Sequence, residues 1–201
     1  MAKEPLSTVG PWPEIARDSL TRPREAARRL IALHVHPRDL VFVAMVISCI
    51  GILIAYATMR IGGGMIDPVS AELLSMPLVA AGMEFAVMLT VGWLTWKIGQ
   101  LFGGKGTLQA AVTLVIWLNV MLLGIQALQF VALAVLPVLA AALALVGMVW
   151  ALWAFANYVT ELHGFDNPLM VMGGIVLTGI VLLIALGLLF ALMGLTPREV
   201  G

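Results

Sequence analysis

The chain has 201 residues, of which 62% are hydrophobic and 11% charged, and its eleven basic and eleven acidic side chains balance. Ordinary soluble domains carry about 25% charged residues, so a water-soluble globule is excluded. One cysteine, Cys49, rules out an intrachain disulfide.

In chain order, the first element is a basic tail over residues 1–36. Two short helices are expected there. One follows Trp12-Pro13 and places Ile15, Ala16, Ser19 and Leu20 along one side. The next starts near Thr21-Arg22-Pro23, with Thr21 as cap and proline in the first turn. Ala27, Leu30, Ile31 and His34 then recur at helical spacing, with Arg24, Arg28 and Arg29 on other sides. A basic amphipathic helix just before a span reads as interfacial, on the membrane surface or packed on the bundle. Without aromatic interleaving, and with acidic residues mixed in, nucleic acid is not an expected partner. About forty charged and proline-containing residues precede the first apolar run, so no ordinary cleavable signal peptide is read.

Five apolar runs follow, at 40–59, 77–96, 109–130, 134–156 and 169–193. Each reaches the roughly 20 residues a helix needs to cross a core about 30 Å thick. None shows the strand-length alternation of a barrel. The fold class expected is therefore all-α, a polytopic five-helix transmembrane bundle with a short amphipathic N-terminal segment. The spans are expected at about 40–60, 77–99, 108–131, 135–160 and 168–193, within a bundle over 37–195, and a short tail over 196–201. Little remains for a separate soluble catalytic domain. Val46-Ile47-Ser48-Cys49 fits a relaxed lipoprotein cleavage box, but the apolar stretch runs on beyond it, so Cys49 is read as a small buried residue of the first span.

Lys3, Arg17, Arg22, Arg24, Arg28, Arg29 and Arg38 precede the first span, and Lys97 and Lys105 flank the second connection. Placing these nine inside leaves only Arg60 and Arg198 outside, which predicts a cytoplasmic N-terminus and an external C-terminus. The setting expected is a bacterial cytoplasmic (inner) membrane. Punctuation between spans is ordinary: Gly62-Gly63-Gly64 for a turn, Asp67-Pro68 opening a short helix, Gly164 closing the fourth span and Asn167-Pro168 opening the fifth. The third and fourth spans meet at 131–137 without a charge between them.

Glu84 is the only ionisable residue inside any run. It lies about 10 Å in from Pro77 at 1.5 Å per residue. The third span returns Gln126 to similar depth and places Asn119 on the same face, so Glu84, Asn119 and Gln126 form the candidate intramembrane polar cluster. Thr95 falls on the Glu84 stripe. Two roles fit: a protonatable site in a proton or cation path, or a hydrogen-bonded structural carboxyl joining two spans.

Other motifs are weaker. Residues 99–107 space their glycines and Lys105 like a phosphate loop, but Gly106 stands where Ser or Thr should bind magnesium, and the segment follows a membrane helix instead of a strand. No nucleotide is expected; Gly99 and Gly103 instead suit close helix approach. Glu161, His163 and Asp166, like His34 and His36, lack paired metal-ligand spacing and are read as solvated. No nucleophile or paired-carboxylate arrangement is found; no catalytic residue, metal or cofactor is expected. Small residues in the last two spans, among them Gly147, Gly173, Gly174, Gly179 and Gly187, predict close packing. Trp93, Trp96 and Tyr158 are read as interfacial anchors.

The segment Thr21-Arg22-Pro23-Arg24-Glu25-Ala26-Ala27-Arg28-Arg29-Leu30, the five spans and the turn Gly103-Gly104-Lys105-Gly106-Thr107 together resemble bacterial members of the Yip1 family, over roughly residues 20–195. That resemblance implies a cytoplasmic N-terminus, an external C-terminus and a role without catalysis. Eukaryotic relatives bind small GTPases and act in vesicle formation. Their Asp-Leu-Tyr-Gly-Pro-type motif is missing here, and no functional residue is carried over. The function expected is a non-enzymatic scaffold or accessory protein, its partners the lipid bilayer and a membrane protein or second copy of the chain. The alternative is a small transporter or channel using Glu84.

Overall fold

A computed structural model describes residues 11–61 and 68–192. The triple-glycine turn at 62–64 and the Asp67 cap lie outside the described residues. Within them the chain is all helix, in the order α1 (Trp12–Thr21), α2 (Pro23–Ala32), α3 (Pro37–Ile61), α4 (Pro68–Ser75), α5 (Pro77–Leu101), α6 (Leu108–Val135), α7 (Pro137–His163) and α8 (Pro168–Leu192). Five of these, α3 and α5–α8, are long and apolar enough to cross a membrane, in agreement with the expected polytopic all-α fold.

Proline sets most of the starts. Six of the eight helices begin with it, at Pro23, Pro37, Pro68, Pro77, Pro137 and Pro168; the residue has no N–H to leave unpaired in the first turn. Proline also makes the turn between α6 and α7. Leu136 is extended (φ −151°, ψ 99°), as the residue before a proline prefers. Two apolar helices therefore separate without any polar loop. Gly164 closes α7 in the left-handed region (φ 71°), and Asn167 Oδ1 accepts from the Leu169 N–H (2.9 Å) at the start of α8.

The central helix is α6, with Ala111, Leu114, Val115, Ile116 and Leu118 all buried. Helices α3, α5 and α7 pack around it. One apolar cluster joins Leu40, Ala44, Ile47, Met88, Val115 and Ile116 of α3, α5 and α6. Another joins Ile15, Ala26, Ala27 and Leu30 of the tail to Leu114, Tyr158 and their neighbours on α6 and α7.

The N-terminal helices are thus part of the bundle. Trp12 stacks on Trp117 (centroids 5.8 Å apart), and Trp117 Nε1 donates to Ser19 Oγ at 2.8 Å. A 28-residue helix such as α6 is about 42 Å long, so about 6 Å projects at each end of a 30 Å core. Trp117 stands about 14 Å along it from its first residue, well inside the span. The hairpin α1–α2 is a wedge packed against α6 and α7.

Several sequence readings are corrected. Thr21 does not cap α2; it ends α1, its hydroxyl donating back to the Arg17 carbonyl at 3.2 Å. Leu20 is exposed while Ile15 and Ser19 are buried. Cys49 is exposed on the outside of the bundle, not buried. Tyr158 is no interfacial anchor but is fully buried beneath the hairpin. Nor do the α8 glycines pack. No described α8 side chain is buried, and a Cβ on Gly173, Gly174, Gly179 or Gly187 would meet nothing within 4 Å. Of the glycines in these two spans, Gly147 of α7 does make the close approach expected: a Cβ there would lie 3.0 Å from Ile125 Cγ2.

Candidate functional site

The intramembrane cluster assembles around a residue that sequence reasoning left unnamed, Gly51 of α3. A Cβ built there would lie 3.3 and 3.5 Å from the two carboxyl oxygens of Glu84 and 3.7 Å from Oε1 of Gln126. The missing side chain lets α5 and α6 bring both polar groups against the α3 backbone. Gln126 Nε2 donates to the Gly51 carbonyl at 3.1 Å. Asn119 turns to its own helix, its Nδ2 donating to the Val115 carbonyl at 2.8 Å. It meets Glu84 instead across a cavity of about 210 Å³, walled by both and by Met88, Val115, Leu118 and Phe155. Among the described residues Glu84 makes no hydrogen bond to either. Thr95 serves its own helix through Val91.

A second polar site forms at the end of the bundle that carries the hairpin. His163, 2% exposed, projects from the last turn of α7 into the glycine-rich loop between α5 and α6. The Gly106 N–H donates to Nδ1 (3.3 Å), which leaves the Nε2 proton for the Thr95 carbonyl (3.1 Å). Lys105 N–H donates to the His163 carbonyl at 3.3 Å, and Phe165 stacks on the ring. A Cβ on Gly99 would come within 2.1 Å of the imidazole, and one on Gly104 within 2.3 Å. Those two glycines form a cradle for a histidine side chain. Gly103, paired with Gly99 on sequence, has φ 83° and open space around it.

Two residues earlier, Glu161 accepts from Arg28 Nε at 3.0 Å and Arg24 Nε at 3.3 Å, fastening α2 to α7. Hydrogen bonding to Glu161, then its charge, raises Arg28 further above its ordinary range, so the guanidinium stays charged at any working pH. Arg29 reaches Glu14 (3.2 Å) and Asp18 (3.3 Å), closing the hairpin on itself. His163 and Glu161 are therefore bonded groups, not the solvated ones expected. They point to different partners, and among the described residues no three metal-ligating side chains gather.

The decisive comparison is with known families. A family model described as the Yip1 domain matches residues 17–191, from the middle of α1 to the end of α8. The chain belongs to the Yip1 family. Searches of curated proteins and of solved structures return no match. Yip1 is not known as an enzyme family. The match takes in α2 and the second half of α1 as well as the five spans, so the latch, the groups that fasten α2 and the glycine-rich loop to Glu161 and His163, lies inside the Yip1 domain. Sequence reasoning found each of its parts but not their union. The available signal was one acidic residue and one histidine at the end of an otherwise uncharged helix, facing arginines and glycines elsewhere in the chain.

Proposed function

We propose that this Yip1-family protein is a non-enzymatic scaffold or accessory subunit of a bacterial cytoplasmic membrane, N-terminus inside and C-terminus outside, that organises membrane partners or lipid. The observation that carries this reading is the division of the molecule. Helices α3, α5, α6 and α7 with the hairpin form one interlocked body, whereas α8 packs chiefly on α7 and has no buried described side chain. A span in lipid gains nothing from the hydrophobic effect by sitting beside another. An outlying helix is free to pack against a foreign span. The latch groups, meanwhile, are occupied in holding the chain together. Native mass spectrometry on material extracted from its own membrane into nanodiscs tests the reading. A stoichiometric foreign subunit is expected; a pure monomer counts against it.

Glu84 supports a second reading, a small transporter or channel, because its carboxyl and the Asn119 amide border one cavity within the spans. The remaining walls are apolar, which disfavours a continuous water path. Reconstituted vesicles decide: a pH-dependent flux lost in Glu84→Gln would establish transport, and no flux in the wild type would remove it.

A further inference from the structure

A cleft lies between the hairpin, the start of α3 and the near half of α6. Trp12 and Leu30 form one wall, Leu40 and Val43 the second, Ile116 and Trp117 the third. Its volume is about 230 Å³, room for about seven water-sized groups at about 30 Å³ each. Yet it offers water too few polar partners to hold it. The Thr113 hydroxyl at its edge donates to the Gln109 carbonyl, and the Trp117 N–H donates to Ser19. A buried water needs two to four polar partners, so the space suits hydrocarbon. Its lining runs along α6 from Thr113 to Val120, about 8 to 18 Å from the first residue of that helix. That places it at the depth of the upper acyl chains of the leaflet on the tail's side.

The charge at this end of the bundle is one-sided. Among the described residues at this end, Glu14, Asp18, Glu25 and Glu161 are all paired with Arg24, Arg28 or Arg29. Arg17, Arg22, Arg38, Lys97 and Lys105 make no ion pair with a described carboxylate, and only Asp39 and Asp166 stand against them. Arg38 is exposed in the first turn of α3, two residues before Leu40 of the lining, and so belongs to the cationic end of the bundle above the cleft. We infer that this cleft holds one acyl chain of an anionic phospholipid, whose headgroup meets Arg38 and the neighbouring cations. Juxtamembrane cations attract anionic headgroups, and the wedge gives the chain beneath them a fixed place.

The inference rests on the bilayer setting and gives the lipid half of the proposed role a location; it does not depend on any protein partner. Its test is native mass spectrometry of the full chain released from nanodiscs of equal phosphatidylglycerol and phosphatidylcholine. At activation that strips annular lipid, one phosphatidylglycerol per chain is expected to persist. Val43→Trp, which fills the cleft, should lower retention at least ten-fold. Arg38→Gln should reduce the preference for phosphatidylglycerol several-fold. Val146→Trp, on an exposed stretch of α7, should behave as wild type. Equal retention in wild type and a folded Val43→Trp, or equal retention of both lipids by wild type, overturns the assignment. Should Val43→Trp fail to fold, an unchanged preference in Arg38→Gln overturns it alone. A negative result here leaves the subunit measurement untouched, so the two readings fail separately.

Discussion

His163 shows how much one side chain can depend on absent ones. Its ring occupies space that Gly99 and Gly104 leave open, and its two nitrogens bond the backbone of two other segments. Gly99→Ala would drive a methyl into the imidazole, an overpacking of the kind that costs about 1–3 kcal/mol, and a lower unfolding midpoint is expected in detergent or nanodisc. His163→Ala alone should also destabilise, by removing both bonds. The two changes together should cost clearly less than their sum, because the clash disappears with the ring. Strict additivity in that cycle would sink the cradle. Gly51 poses the same question inside the spans. Gly51→Leu should push Glu84 and Gln126 off α3 and destabilise more than Gly82→Leu, whose Cβ position is open. These counterparts were not legible in the sequence. The glycine pattern at 99–106 was visible, but its occupant lies over fifty residues away, and glycine spacing does not say whether a phosphate, a helix or an imidazole fills the gap.

At the scale of elements, the hairpin is the informative case. Its amphipathic pattern was readable: Ala27 and Leu30 are buried, as helical spacing required. Its destination was not, because an apolar face at a membrane boundary satisfies itself equally against lipid or protein. The groups that decide are Trp12 on Trp117, Ser19 beneath the indole, and Glu161 between Arg24 and Arg28. These ion pairs involve exposed guanidinium groups and are therefore weak. Packing by Leu30 should outweigh them, since truncating a buried leucine costs about 2–5 kcal/mol. Hydrogen–deuterium exchange over residues 12–32 separates the contributions. Glu161→Gln should raise exchange modestly, whereas Leu30→Ala should raise it strongly. The opposite ranking would mean that charge, not packing, holds the wedge.

For the molecule as a whole, the five spans were legible because hydrocarbon imposes a length and an uninterrupted apolar composition that short loops cannot imitate. The α6–α7 boundary was locatable only through Pro137, which forces a turn where no charge marks one. Which spans interlock was not legible: glycine and alanine content singled out the last two, yet α6 is the hub and α8 the outlier. Small residues permit close approach but do not supply a neighbour, and in lipid an unpacked glycine carries no solvent penalty that would reveal it. The consequence is testable. A chain stopped after Asp166 lacks α8 but keeps every residue of the two apolar clusters and the latch. It should insert, remain monodisperse in detergent and protect its hairpin from exchange as the full chain does. Should α8 also be the face that meets a foreign span, the truncated protein would lose that subunit while keeping its own fold. Collapse of the hairpin on truncation would instead make α8 part of the folding unit, and would remove the division on which the scaffold reading stands.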